Sequence, residues 1–308
     1  MTSLDPGSLV LGGNVFGWTA DRDESFAVLD AFVAGGGRSI DTADVYSQWV
    51  PGNSGGDSEL IIGEWLASRG NRDAVEIHTK VFAKTDRPGL SPANLSAAVD
   101  DSLDRLQTDH LDLYYAHRDD EAVEQADYVA AFDALVRAGK VREVGASNFS
   151  ASRLSSALDI ARAEGLTPFT VAQDKWSLVE RDIESELVPT LRDRGVVELP
   201  YSSLGSGFLT GKYRPGTSVE SARAKAAGRY LERPGATALL DTLDEIAEAR
   251  HTSVTAVSLA WLRVQPTVGA PIASARTVQQ VQPLLDSTTL TLGADELARL
   301  NKVSAALG

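Results

Sequence analysis

The chain of 308 residues contains no cysteine and four histidines, and the histidines form no H-x-H pair or H-E-x-x-H motif. Disulfides, thiolate catalysis and cysteine metal sites are therefore excluded, and no metal centre is expected. No run of about 18 apolar residues occurs, so no membrane span is expected. The opening residues, MTSLDPGSLV, lack the basic segment and apolar stretch of a secretory signal. These absences predict a cytoplasmic protein.

Basic residues are also scarce, with 29 lysines and arginines against 43 acidic residues and a net charge of −14. Nucleic-acid binding needs a basic face, so a nucleic-acid partner is not expected. The hydrophobic fraction of 43% is ordinary for a globular protein. The length suits one α/β barrel of about 250 residues with insertions.

A recurring pattern predicts the fold: an amphipathic stretch ends in glycine, and a short β-branched run follows, as in FVAGGGRSID and LRDRGVVELPYS. Helix–glycine–strand repeats indicate βα units and a parallel sheet. We predict eight strands, near residues 38–41, 75–80, 111–117, 141–147, 169–173, 196–201, 267–272 and 288–292. They indicate a single (β/α)8 TIM barrel domain over residues 1–308. We also expect an N-terminal β-hairpin near 8–16, extra helices near 236–250, 255–264 and 294–307, and extra loops at the C-terminal face.

Polar residues end three successive predicted strands: Asp41, Lys80 and His117, with Tyr46 five residues after Asp41. The carboxyl ends of barrel strands form the active-site face, so these side chains should meet. A phenol, with a free pKa of about 10, donates a proton well only if that pKa is lowered. We expect the Lys80 ammonium, held by Asp41, to lower it. His78 is expected to face the helices. Singly, such residues are most often surface ion pairs.

The sequence resembles the aldo-keto reductase family over nearly its whole length. The resemblance lies in GGGRSIDTADVYS with Glu59 downstream, HTK, DLYYAHRDD, KVREVGASNFS, VAQDKWSLVER and YSSLGSGFLTGKY. It implies hydride transfer between a nicotinamide cofactor and an aldehyde or ketone. Tyr46 would be the proton donor, assisted by Lys80, Asp41 and His117.

The resemblance also implies a cofactor site, in which Ser147, Asn148 and Gln173 hold the nicotinamide carboxamide and Tyr201 stacks on its ring. The expected contacts are Gly13, Asn14, Ser147, Asn148, Gln173, Tyr201, Ser202, Ser203, Leu204, Gly205, Gly207, Lys212, Ser274, Arg276 and Gln280. Independently, the stretch 205–236 carries six basic and two acidic residues. We interpret it as a long loop that binds an anion, with Lys212 in reach of a pyrophosphate.

The segment APIASARTVQQVQPLL resembles the family's adenosine-phosphate site with departures. Ser274, Gln280 and Leu284 stand where many members have Lys, Arg and Asn. Arg276 remains, and it lies at the N-terminal end of a predicted helix, where a cation is disfavoured unless an anion pairs with it. We therefore expect NADPH/NADP+ as cofactor, with NADH possible.

The substrate is expected to be a small carbonyl compound or a sugar-like molecule. Candidate contacts are Phe16, Trp18, Trp49 and Arg118, with Trp49 in the loop-like segment QWVPGNSGGDSE. Two alternatives remain open at this stage: an oxidative sugar or polyol dehydrogenase, and a non-catalytic cofactor-sensing barrel resembling the potassium-channel β subunits. The oligomeric state is not predicted.

Overall fold

A computed structural model describes residues 4–307, in which eight strands form one parallel sheet. The strands are β1 (Val10–Gly12), β2 (Ser39–Asp41), β3 (Glu76–Val81), β4 (Leu111–Ala116), β5 (Val141–Ser147), β6 (Val171–Gln173), β7 (Val197–Glu198) and β8 (Ile272–Ala273). Their order is β7-β6-β5-β4-β3-β2-β1-β8. The edges meet where Glu198 N donates to Thr267 O at 2.8 Å and Gly269 N to Glu198 O at 2.9 Å. The predicted (β/α)8 TIM barrel is confirmed.

Helices alternate with the strands, and extra helices follow β7. They are α1 (Arg22–Ala34), α2 (Asp57–Arg69), α3 (Pro92–Leu106), α4 (Gln125–Arg137), α5 (Ala151–Glu164), α6 (Leu187–Arg194), α7 (Ala224–Leu231), α8 (Ala236–Ala249), α9 (Val254–Arg263), α10 (Val278–Asp286) and α11 (Ala294–Ala305). Gly70, Gly165 and Gly195 end α2, α5 and α6 with φ between 60° and 68°. Glycine adopts this left-handed conformation at little cost, which explains the helix–glycine–strand pattern.

Alternation along the strands builds two apolar layers. On β4, Leu113 and Tyr115 point into the barrel, whereas Tyr114 and Ala116 pack against the surrounding helices. Side chains two residues apart share a face. His78 therefore faces the same way as Lys80, and its Nε2 lies 3.6 Å from Glu76 Oε2. The expectation that His78 faces the helices is wrong.

Two predicted strand features are also wrong. Residues 10–12 form β1, a barrel strand paired in parallel with β2 and β8, rather than part of a hairpin. Its three residues are buried because neighbouring strands flank both sides. The segment 288–292 forms no strand; Leu292 instead packs in the apolar cluster that contains residues of α8 and α9. The predicted helices at 236–250, 255–264 and 294–307 correspond to α8, α9 and α11.

The stretch 205–236 is not all loop, because it contains a 3-10 helix over Gly205–Thr210 and the helix α7. No helix within residues 4–307 is long and apolar enough to cross a membrane. The assignment of residues 1–308 to one domain stays a prediction.

Candidate active site

Three of the four predicted catalytic side chains are in direct contact at the carboxyl ends of β2 and β3. Lys80 is fully buried, and its Nζ donates to Asp41 Oδ2 at 2.6 Å, to Thr42 O at 2.8 Å and to Tyr46 Oη at 3.2 Å. Gln173, at the end of β6, donates from Nε2 to the other Asp41 oxygen at 2.9 Å. The barrel thus brings together residues from three strands and one loop.

His117 follows β4 and completes the group. Its backbone N–H donates to Val81 O at 2.9 Å, and its ring centroid lies 6.2 Å from that of Tyr46. Burial first, then the charges of Lys80 and Arg118, lower the pKa of His117 to about 3. The imidazole is therefore neutral at physiological pH, and its buried Nδ1 has no hydrogen-bond partner within residues 4–307.

The pKa of Tyr46 differs from the sequence expectation. Burial, followed by the Asp41 carboxylate, raises the pKa of Tyr46 well above 10. The expected lowering is wrong, because it counted the Lys80 ammonium and left out desolvation and the neutralising charge of Asp41. Burial also lowers the pKa of Lys80 itself.

The Asn148 side chain is hydrogen-bonded to residues at or just after the ends of β4, β5 and β7. Its Nδ2 donates to His117 O and to Ser147 Oγ, each at 2.9 Å, and its Oδ1 accepts from Tyr201 Oη at 2.8 Å. The predicted carboxamide contacts Ser147, Asn148 and Gln173 line one cavity with Tyr46 and His117. The same cavity contains Asn14, Arg118, Asp119, Glu121, Tyr201 and Ser202.

A second cavity continues from the first, since Asn14, Tyr46, Tyr201 and Ser202 line both. It is lined by most of the remaining predicted cofactor contacts: Ser203, Leu204, Gly207, Lys212, Ser274, Arg276 and Gln280. Ser274 Oγ donates to Asn14 Oδ1 at 2.7 Å, and Arg276 N donates to Gln280 Oε1 at 2.9 Å. At Gly12, an added Cβ would lie 2.6 Å from Ser274 Oγ, so a larger residue there would require the Ser274 side chain to move.

Three cations line this second cavity: Lys212, Arg223 and Arg276. Within residues 4–307, no carboxylate oxygen lies within 4.0 Å of them. By contrast, Arg214 in the same stretch pairs with Asp244 at 2.7 Å. Unpaired cations in a polar cavity suit an anionic ligand such as a phosphate. Arg223 was not predicted as a site residue, although it contributed to the basic count of its stretch.

The remaining predicted contacts divide into two groups. Gly13, Gly205 and Phe16 line neither cavity, and Phe16 is fully buried in the apolar core. Trp18 and Trp49 also line neither cavity, but they lie beside the catalytic group: their ring centroids are 5.6 Å apart in an edge-to-face contact, and the Trp49 ring centroid lies 6.3 Å from that of Tyr46. Half of Trp49 is exposed.

Other features bear on the site. Arg118 lines the catalytic cavity and lies over Phe82 at 5.3 Å. Two buried carboxyl groups behind Asn148, those of Asp174 and Glu198, were not found from the sequence, because only the fold brings them together. In the part of the chain that the structure describes, no three histidine or carboxylate side chains are grouped to hold a metal ion.

Comparison with known proteins identifies the family of this chain. The model of the aldo/keto reductase family matches residues 8–305. The chain is 32% identical to an uncharacterized oxidoreductase of Bacillus subtilis, over 98% of this chain and 93% of that protein. It is 30% identical to an aryl-alcohol dehydrogenase of Pestalotiopsis microspora (96% and 78% covered) and 31% identical to norsolorinic acid reductase of Emericella nidulans (94% and 76% covered). The chain belongs to the aldo-keto reductase family and is an NAD(P)H-dependent oxidoreductase.

Proposed function

We propose that the protein reduces an aldehyde or ketone to an alcohol, using NADPH as hydride donor and Tyr46 as proton donor. The observation that carries the proposal is the contact of Tyr46 Oη with Lys80 Nζ at 3.2 Å, at the junction of the two cavities. A bound nicotinamide supplies the hydride. The chain's own residues bind the cofactor, orient the carbonyl group and deliver the proton.

The proton moves from Tyr46 Oη to the carbonyl oxygen as that oxygen gains negative charge. Lys80 Nζ, which is already hydrogen-bonded to Tyr46 Oη, stabilises the phenolate that remains. The Asp41 carboxylate holds Lys80 in this position. His117 is neutral and can donate a second hydrogen bond to the same oxygen from the facing side. The residues thus supply orientation and charge stabilisation.

The preference for NADPH rests on Arg276, Arg223 and Lys212, which have no carboxylate partner within residues 4–307. A guanidinium can bind a phosphate through two parallel hydrogen bonds. Members of the family generally use NADP(H). We assign the 2′-phosphate to Arg276, beside the start of α10, and the pyrophosphate to Lys212 and Arg223.

We propose aromatic carbonyl compounds as substrates. Trp49 presents a half-exposed indole next to Tyr46, and aromatic pairs favour edge-to-face or offset stacking. Relatives named aryl-alcohol dehydrogenase and norsolorinic acid reductase fit this choice. We assign reduction rather than oxidation of a sugar or polyol, because burial keeps Tyr46 in its protonated, proton-donating form. The hydrogen bond from Lys80 Nζ, rather than a lowered pKa, then supports the donation by stabilising the phenolate.

The test is a fluorescence titration of the purified protein with NADPH and with NADH, followed by addition of 4-nitrobenzaldehyde. We expect tighter NADPH binding and oxidation of the cofactor on adding the aldehyde. Tyr46→Phe should lower kcat by at least about 100-fold while changing the Kd of NADPH less than about threefold, since it removes only the proton donor. Tyr230→Phe is the matched control, because its hydroxyl donates to Glu180 rather than facing the catalytic group.

Two results would contradict the proposal. Wild-type binding of NADPH without turnover of any aldehyde would indicate a cofactor-sensing barrel instead. Turnover by Tyr46→Phe within about tenfold of wild type would remove Tyr46 as the proton donor.

A further inference from the structure

Two carboxyl side chains lie buried behind the nicotinamide end of the candidate site. Glu198, on β7, is fully buried, and Asp174, directly after β6, is 5% exposed. Across residues 4–307, no lysine, arginine or histidine nitrogen lies within 4.0 Å of either carboxyl group. A buried carboxylate without a cation is costly, so the contacts of these two groups need a physical account.

The two groups begin a continuous chain of hydrogen bonds. Glu198 Oε1 accepts from the backbone N–H of Asp174 at 2.7 Å, and Asp174 Oδ1 accepts from the backbone N–H of Asn148 at 3.0 Å. The Asn148 amide then contacts Tyr201 Oη at 2.8 Å and His117 O at 2.9 Å. This series of hydrogen bonds therefore runs from the buried side of the barrel wall to the catalytic cavity.

Asn148 is held in an unfavourable backbone conformation, with φ of 58°. A non-glycine residue in the left-handed region costs about 1 kcal/mol or more, and asparagine tolerates it better than most residues. The Asp174 carboxyl group accepts the Asn148 N–H in this conformation. Without that acceptor, a partly buried N–H would lose its partner and the loop would be free to relax.

The pKa shifts of Asp174 and Glu198 are compatible with their role as hydrogen-bond acceptors. Burial raises the pKa of Asp174 to about 7, and burial together with Asp174 raises the pKa of Glu198 well above its usual range. The raised pKa favours the uncharged form of the Glu198 carboxyl group, which a site without a neighbouring cation also favours. A neutral carboxyl group still offers its carbonyl oxygen to the Asp174 N–H, and a glutamine amide would offer the same acceptor.

We propose that Asp174 and Glu198 are positioning residues that fix Asn148 and Tyr201 for the nicotinamide end of the cofactor. The inference rests on the proposed function, because it assumes that this cavity binds the nicotinamide. Its structural part, the chain of hydrogen bonds, does not depend on any cofactor.

The experiment compares Asp174→Ala with the conservative variants Asp174→Asn and Glu198→Gln. Asp133→Ala is the matched control: Asp133 is also 5% exposed and accepts the backbone N–H of Thr167 at 2.9 Å, but it lines neither cavity. Hydrogen exchange of a peptide covering residues 147–150 is measured without cofactor. The Kd of NADPH, its KM and kcat are then measured for each variant.

For Asp174→Ala we expect exchange at least about tenfold faster, and a cofactor KM raised at least about tenfold with a smaller change in kcat. Asp174→Asn and Glu198→Gln should stay within about threefold of wild type, because they keep the acceptor oxygens. Asp133→Ala should change neither readout. If Asp174→Ala does not fold, Glu198→Met is used instead, because it removes the acceptor of the Asp174 N–H. It should change the exchange rate and the cofactor KM in the same direction as Asp174→Ala.

The inference is overturned if Asp174→Ala matches Asp133→Ala in both readouts. It is also overturned if Asp174→Asn behaves like Asp174→Ala, since the charge and not the acceptor would then matter. If the exchange pattern is as expected but wild-type protein binds neither NADPH nor NADH, the hydrogen-bond chain is supported and the proposed function fails. The two failures are thus distinguishable.

Discussion

Replacing Lys80 by methionine tests whether the buried ion pair organises the active site. Lys80 Nζ makes three hydrogen bonds and is fully shielded from solvent. Within residues 4–307, Lys80→Met leaves the Asp41 carboxylate, which is 2% exposed, without a cation and hydrogen-bonded to the Gln173 amide. Removing one member of a buried pair typically costs about 3–5 kcal/mol, because the remaining charge is uncompensated.

A double-mutant cycle separates this cost from lost packing. Lys80→Met/Asp41→Asn removes both charges, and a neutral amide can still accept from Gln173 Nε2. We therefore expect the double variant to be more stable than Lys80→Met alone, with a coupling free energy of at least about 2 kcal/mol. Neither variant should regain carbonyl reduction, because Tyr46 has lost its ammonium partner.

The assay is urea unfolding at pH 7, followed by the fluorescence of the five tryptophans. Lys140→Met is the control: Lys140 pairs with Asp100 at the surface, so its loss should cost no more than about 1 kcal/mol. A Lys80→Met cost below about 1 kcal/mol, or a double variant less stable than both single variants, would refute the reasoning.

Three further predictions concern charge. Arg276→Ala should raise the Kd of NADPH by about 30-fold and that of NADH by less than about fivefold, since a charged phosphate hydrogen bond is lost. Arg214 pairs with Asp244, so the control variant Arg214→Ala should change neither Kd. Equal effects of Arg276→Ala on both cofactors would exclude a 2′-phosphate contact. The pKa of His117 is about 3 when folded and about 6.5 when unfolded. Below pH 6.5 the unfolded chain therefore takes up a proton that the folded protein does not, and the unfolding free energy falls by up to about 1.4 kcal/mol per pH unit. Urea titrations at pH 6.5 and 4.5 should show a smaller fall for His117→Gln, and identical falls would contradict this. Tyr46 should stay protonated, so kcat for reduction should be flat from pH 6 to 9; a decline centred below pH 8 would be the contrary result.

The sequence was sufficient to predict the contacts of Asp41, Lys80 and Tyr46 because they depend on local order. Strand-ending polar residues on adjacent parallel strands must meet at one edge of the barrel. Gly70 and Gly165 mark helix ends for an equally local reason, their left-handed backbone. These features need no knowledge of distant partners.

Features that depend on distant partners could not be predicted. The three residues of β1 show no alternation, and only pairing with both β2 and β8 makes them a strand. Arg214 and Arg223 look alike in sequence, yet Asp244 neutralises Arg214, while Arg223 lines the cavity without an acidic partner within residues 4–307. The TTLTL segment at 288–292 has strand-like composition, but its leucines pack against helices.

The raised pKa of Tyr46 changes the interpretation of the roles of Asp41 and Lys80. Asp41 balances the charge of Lys80, so this pair contributes a hydrogen bond to Oη more than a net positive field. The cation that does lower the pKa of Tyr46 is Arg223, on the wall of the adjoining cavity. A phosphate bound to Arg223 would neutralise that cation and weaken its effect on the phenol. The hydrogen bond from Lys80 Nζ, rather than a lowered pKa, is then the feature that supports proton transfer from Tyr46.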